Sequence, residues 1–248
     1  MQLRYRSAPR THVGLVRKNN EDSMLVRDDA RLWIVADGMG GHDNGQWASQ
    51  TLVGQFAALD LDIDPQARGA AIVGAFEQGN RAINDAATAA GKQMGTTAVL
   101  VHCDGDDVLF LWVGDSRIYR LRGQTFAQVT RDHTLVQDLV DRGALGADEA
   151  ETHPMSHVLS RAVGTEPEVR YDTLVDKAQA GDRYLLCSDG LTKVVPDSLM
   201  ASILSTGSIE AAADRLIAET LERGAPDNTT LVVLSAEEAT ALGMRPGP

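Results

Sequence analysis

Cysteine is nearly missing from this chain, with two residues in 248, Cys103 and Cys187, each inside an apolar run. That excludes a disulfide framework and a Cys-x-x-Cys zinc site, and it fits a reducing, cytoplasmic setting. Histidine offers no metal ligand pattern either. His12, His42, His102, His133, His153 and His157 are scattered, and Pro154 interrupts the pair spaced four apart. Aromatic residues make up only 4%, so aliphatic side chains and alanine must fill the core, and no base-stacking pocket is visible. No apolar run approaches the ~18 residues of a membrane span, and MQLRYRSAPR at the N-terminus has no signal-peptide core. Basic residues are outnumbered, 23 Lys and Arg against 35 Asp and Glu, for a net charge of −12. A general nucleic-acid surface is excluded by that balance. The expectation is a protein that engages neither nucleic acid nor membrane.

What the chain does have is carboxylate at the ends of apolar segments. Strands are predicted at 12–16, 23–28 and 31–37, followed by helices over 46–59 and 65–90, the second from its i, i+3, i+4 apolar spacing. A hairpin is predicted from 96–103 and 108–114 about the turn Asp104-Gly105, and another from RIYRLR and TFAQVT about Gly123-Gln124. Then come a short helix at 134–142, an irregular polar segment from 143 to 168, and strands near 169–175 and 182–188. Helices near 197–206 and 208–223 and a final strand at 229–235 complete the chain. Hairpins outnumber strand–helix–strand units, so the sheet is read as mainly antiparallel with helices packed outside it. No linker divides the chain. One domain over 1–236 and a frayed tail over 237–248 are expected.

Four aspartates mark strand ends. WIVAD, FLWVGD and YLLCSD run into Asp37, Asp115 and Asp189, and PDNTTLVVL leaves from Asp227. Asp-Gly commonly makes a simple turn, and Asp104-Gly105 is one such case. Four at core-strand ends suggest a shared edge, where carboxylates raise one another's pKa unless a cation offsets them. Oxygen-only ligands suit Mg²⁺ or Mn²⁺. In LWIVADGMGGHDNG (32–45), Gly38, Gly40 and Gly41 let the backbone turn so that Asp37 and a carbonyl both reach a metal.

These segments resemble, in order, the motifs of the metal-dependent serine/threonine protein phosphatases of type 2C, the PPM family. They are RKNNED (17–22), DGMGGH (37–42), GTTA (95–98), VGDSR (113–117), TRDH (130–133), LSRAVG (159–164), SDGL (188–191) and PDN (226–228). The resemblance runs from about residue 10 to 235. It implies an α+β fold, a four-layer α-β-β-α sandwich of two mainly antiparallel sheets flanked by helices. It also implies hydrolysis of phosphoserine and phosphothreonine on proteins by attack of a hydroxide bridging two Mg²⁺ or Mn²⁺ ions. Asp37 would bridge both metals, the Gly38 carbonyl would bind one, and Asp189 and Asp227 the other. Glu21 and Asp22 match an acidic pair that holds metal-bound waters, and Arg17 the arginine that grips the substrate phosphate. Asp115 matches a residue that, with Asp189, binds a weaker third metal in bacterial relatives. A structural turn holding Ser116 and Arg117 is its equal alternative.

Asn228 is read as orienting the Asp227 loop, and Asp132 and His133 as capping the following helix. Thr96 and Thr97 are read as plain strand residues. Met39 stands where eukaryotic relatives carry a histidine proposed to protonate the leaving group. Bacterial members commonly lack it, so the resemblance points to the bacterial branch and leaves the general acid unassigned. His42, three positions on, is either a substitute or a loop residue. The irregular segment 143–168 is similar in position to the mobile flap of bacterial members. A cognate bacterial Ser/Thr kinase and its substrates are the implied partners. The competing readings are a catalytically silent binding module on the same fold and a hydrolase of nucleotides or small phosphoesters.

Overall fold

The computed structural model describes residues 3–41, 43–146, 149–150 and 153–239. Alternation along the strands builds the layers. In β3 (Leu32–Met39), Leu32, Ile34 and Ala36 point to one face, while Trp33 and Val35 point to the other, and all five are buried. Such a strand needs cover on both sides, which explains its nearly unbroken apolar content.

β3 lies within the sheet β2 (Asp22–Arg27), β3, β5 (Ala98–Asp104), β6 (Asp107–Val113) and β9 (Asp172–Lys177), with β4 (Gly95–Thr96) paired to its end. The second sheet runs β1 (Leu3–His12), β11 (Thr229–Glu238), β10 (Arg183–Cys187), β7 (Arg117–Arg122) and β8 (Thr125–Gln128). Each of these pairings is antiparallel.

One apolar core fills the space between the sheets, built on Trp33, Phe110, Tyr184 and Val232. A second lies under α1 (Asp43–Ala57) and α2 (Pro65–Ala90). The third, on the other sheet, lies under α4 (Asp189–Thr192), α5 (Asp197–Leu204) and α6 (Ile209–Glu222). α3 (Leu135–Asp141) follows β8. The expected four-layer α-β-β-α sandwich is therefore the observed one.

Local chemistry sets the helix ends. Asp64 caps α2 by accepting from Gln66 N–H, Pro65 occupies its first turn, and Gly91 ends it in the left-handed conformation. Thr134 caps α3 by accepting from Gln137 N–H, so the capping expected of Asp132 and His133 is corrected.

Other boundaries moved too. The strand expected at 12–16 is instead Leu3–His12, and it pairs with β11 along its whole length. Its arginines hid it from a hydrophobicity pattern: Arg6 and Arg10 reach out to Glu210 and Asp214 on α6. Pro9 is tolerated because β1 is an edge strand. The helix predicted from 46 starts at Asp43, the strand near 169–175 is Asp172–Lys177, and a short helix opens at Asp189 where only a strand end was expected. β11 continues to Glu238, into the span expected as tail; residues 240–248 lie outside the described residues.

His102 on β5 is buried against the Arg31 carbonyl, 3.2 Å from its Nδ1, and its Nε2 has no partner. A carbonyl only accepts, so Nδ1 carries the proton, and a second proton would sit on a buried nitrogen facing no acceptor. Burial accordingly lowers its pKa below the ordinary 6.5. As pH falls the unfolded chain takes the proton first, so this contribution is complete above about pH 7 and is lost as pH drops through that value. Thermal melts between pH 7.5 and 5.5 should show a decline of at most about 1.4 kcal/mol per pH unit from this group. His102→Gln should flatten part of it. A variant with an unchanged pH profile would contradict the assignment.

Candidate metal centre

The carboxylates singled out in the sequence come from both sheets and meet at one end of the sandwich. β2 and β3 pair so that Asp22 stands directly opposite Asp37. β10 and β11 are antiparallel neighbours, and this brings Asp189, just past one strand, to the edge where Asp227 precedes the other. Asp37, Asp115 and Asp189 line one cavity of ≈ 370 Å³, together with Met39 and the segment His157–Ala162. Part of the 143–168 segment therefore walls the site; residues 147, 148, 151 and 152 of it are outside the described residues.

The backbone around each acid is fixed by hydrogen bonds. Thr97 N–H donates to the Asp37 carbonyl at 2.8 Å, and Asp37 N–H donates to Thr97 Oγ1 at 3.1 Å. Thr96 Oγ1 donates to the same carbonyl, so both threonines hold Asp37 in place, beyond their expected part as strand residues. Thr97 Oγ1 also meets Ser116 Oγ at 2.7 Å. Asp132 takes three hydrogen bonds from Arg117, and His133 clamps Gly114 through its backbone N–H and its ring Nδ1. Ser116 and Arg117 are thus held by other residues, while Asp115 faces the cavity beside Asp189.

Asn228 links its own loop to three residues of another by hydrogen bonds. Its amide donates to the Val13 and Asn19 carbonyls at 2.8 and 2.9 Å, and its Oδ1 accepts from Glu21 N–H at 2.8 Å. The loop after β1 is tied in this way to the one before β11. Gly14, with φ +84°, passes so close to the 225–227 backbone that a Cβ there would lie 2.4 Å from the Asp227 carbonyl. Arg17, from the same loop, reaches Asp227 with Nε at 2.9 Å and Nη2 at 3.0 Å.

Gly38 needs its missing side chain for a close approach. A Cβ there would lie 2.0 Å from the Gly45 carbonyl, in the first turns of α1. Gly45, to which the sequence pattern assigns no role, is equally constrained: a Cβ would meet Glu21 Oε2 at 2.1 Å and the Gly38 carbonyl at 2.8 Å. The Glu21 carboxylate and the Gly38 carbonyl therefore share the space over Gly45. His42 lies outside the described residues.

The electrostatics call for a cation. Burial, followed by Asp22, Asp189, Asp115 and Asp227, drives the Asp37 carboxyl well above the usual range. Burial also pushes Asp22 up to about 7, opposed by the Ser188 hydroxyl at 2.7 Å, and Asp115 up to about 7, reinforced by Asp189. Asp22 Oδ1 and Asp189 Oδ1 are buried with no hydrogen-bond donor. Buried carboxylate oxygens without donors are costly unless something positive meets them. An oxygen-only donor set with orphaned atoms fits hard divalent ions such as Mg²⁺ or Mn²⁺. Among the described residues no three acidic, histidine or cysteine side chains are already closed around one point. Asp227 is turned instead to Arg17 and Lys193, and Asp189 to Lys193.

Neither cysteine can serve as a nucleophile here. Both are buried, and burial pushes the Cys103 thiol up to about 12 and Cys187 higher still.

Comparison with known proteins places this arrangement. The model of the protein phosphatase 2C family matches residues 16–232. The serine/threonine protein phosphatase PstP of Mycobacterium tuberculosis is 41% identical over 237 residues, covering 93% of this chain and 44% of that protein. The chain thus spans less than half the length of that curated relative. PppA, a regulatory component of T6SS in Pseudomonas aeruginosa, superimposes with a TM-score of 0.87 at 39% identity, over 94% of this chain and 97% of that one. The catalytic domain of PstP in complex with two manganese ions gives a TM-score of 0.86 at 39% identity, over 95% and 100% of the two chains. This chain belongs to the protein phosphatase 2C family.

Proposed function

We propose that this chain is a metal-dependent protein phosphatase that hydrolyses phosphoserine and phosphothreonine. The observation that carries the reading is the convergence of Asp22, Asp37, Asp115, Asp189 and Asp227 with two buried carboxylate oxygens lacking donors. Family membership and the two manganese ions of the PstP catalytic domain support it.

Asp37, the Gly38 carbonyl, Asp189 and Asp227 would hold two Mg²⁺ or Mn²⁺ ions, with Asp115 and Asp189 offering a weaker third site. When bound, the ions supply Lewis acidity and make water acidic enough to act as a nucleophile near neutral pH. The chain's own groups do the rest. Arg17 exchanges its fork from Asp227 to the substrate phosphoryl oxygens and fixes their orientation for in-line attack. Glu21, over Gly45, and Asp22, whose buried Oδ1 has no donor in the chain, would accept hydrogen bonds from water held within the site. Asn228 keeps Glu21 and Asp227 in register. Met39 cannot donate a proton to the leaving group. The segment 143–168 acts as a substrate-selecting flap, and the protein works in the cytoplasm opposite a cognate Ser/Thr kinase. No described helix is long and apolar enough to cross a membrane.

Turnover of p-nitrophenyl phosphate with Mn²⁺ should vanish with EDTA and with Asp189→Ala. A phosphothreonine protein should be dephosphorylated in preference to a nucleotide. Shortening 143–158 should cost more on phosphopeptide than on p-nitrophenyl phosphate, and equal losses would remove the flap's selecting role. No turnover at all would leave a partner-binding module, and preference for the nucleotide a small-phosphoester hydrolase.

A further inference from the structure

The site carries a lysine that the phosphatase chemistry does not require. Lys193 follows the last residue of α4, and its N–H donates to the Asp189 carbonyl at 2.9 Å. This helical spacing of four residues turns its side chain back over Asp189. The Nζ ion-pairs with Asp189 Oδ2 and stands 3.5 Å from Asp227 Oδ2. Two carboxylates, one at the start of α4 and one in the loop before β11, thus converge on one ammonium group. Asp115 adds its charge from the loop that joins β6 to β7. Arg17 is not equivalent, because its contacts here are confined to Asp227.

The exposures decide how the lysine behaves. The Asp189 and Asp227 side chains are 15% and 23% exposed, but Lys193 is 40% exposed. The acids are fixed in the wall, while the ammonium sits at the mouth on a flexible four-carbon stem with water beside it. It is well placed to leave when a stronger cation arrives.

We infer that Lys193 is a built-in competitor for the metal: its ammonium occupies Asp189 and Asp227, and a divalent ion binds there by displacing it toward solvent. This rests on the assignment of those two aspartates as ligands under the proposed function. The physical consequence is a lowered affinity. Part of the metal's attraction to Asp189 and Asp227 replaces an attraction already present, so only the difference appears in binding. Lys193 thereby sets the Mn²⁺ concentration at which the enzyme loads, and it limits repulsion among the acids at lower concentrations.

The test is calorimetric titration of the metal-stripped full chain with MnCl₂, for the unaltered protein, K193Q, K193R and K177Q. Lys177 pairs with Asp106 and Asp107 at the start of β6, the end remote from Asp115, and controls for net charge alone. K193Q should bind Mn²⁺ about three- to fivefold more tightly, the upper scale of one partly exposed charge pair. K193R, which keeps the charge, and K177Q should stay within about twofold of the unaltered protein. The gain in K193Q should shrink at high ionic strength, where the ion pair is already screened. Equal Mn²⁺ affinity in K193Q and the unaltered protein, or the same gain in K177Q, overturns the inference while leaving the phosphatase reading intact. Absence of Mn²⁺ binding in the unaltered chain overturns both.

Discussion

Replacing Asp37 with asparagine should abolish turnover and yet raise the melting temperature of the metal-stripped protein. The two effects have one origin. Asp37 stands opposite Asp22 across the β2–β3 ladder, where like charges destabilise a strand pair, and it adds to the field of Asp115, Asp189 and Asp227. Burial makes each of these charges costlier. Asparagine has the same shape without the charge, so the repulsion falls and the backbone hydrogen bonds to Thr96 and Thr97 survive. The cavity is open to water, which limits the gain; even about 1 kcal/mol would raise the midpoint by about 2–4 °C for a chain of this size.

Activity moves the other way. The proposed bridging ligand is lost, and with it the acidification of water, so p-nitrophenyl phosphate turnover should drop by at least about 10³-fold. Melting in EDTA and turnover in Mn²⁺, measured on the same preparation, check both halves. A variant that melts lower in EDTA would contradict the repulsion, and one that keeps turnover would contradict the metal assignment.

Gly190→Ala should be the most destabilising single methyl group at the site. A Cβ on Gly190 would lie 1.8 Å from the Asn228 carbonyl and 2.9 Å from Thr229 Oγ1. The obstructing oxygen belongs to the backbone, and its residue is pinned by hydrogen bonds to Val13, Asn19 and Glu21. Nothing can yield cheaply, so α4 must back away from the start of β11, and Asp189 must part from Asp227. Overpacking of this kind costs about 3 kcal/mol or more. The melting temperature should fall by roughly 10 °C, and Mn²⁺ affinity should fall with it. A midpoint within about 2 °C of the unaltered protein would show that the two segments are less tightly held than their contact implies.

Asp37, Asp115, Asp189 and Asp227 were legible because each ends or begins an apolar run, a pattern that survives without any knowledge of which strands are neighbours; Glu21 and Asp22 came from the family resemblance alone. Antiparallel sheet with helices outside it was legible for the same reason, from the apolar runs that became β3, β5 and β11, whereas the division into two sheets came from the family resemblance. β1 was not, since its arginines answer acids on α6 that only the folded chain brings opposite. Gly45 and Ser188 had no role in the sequence reading, and Thr97 only that of a strand residue, because each acts on a residue distant in sequence, Glu21, Asp22 and Asp37 respectively. Lys193 had no place in the sequence reading, because its meaning depends on Asp227 lying beside Asp189.

The sequence by itself determined which carboxylates stand at the ends of the apolar strands, because the kind of donor is a property of each residue alone. Tertiary structure decided the distances, the crowding that shifts Asp22, Asp37 and Asp115 upward, and the cations that answer Asp189 and Asp227. Those depend on two sheets whose strands interleave along the chain, one of them pairing its first strand with its last, and charge interactions act through space without regard to sequence separation.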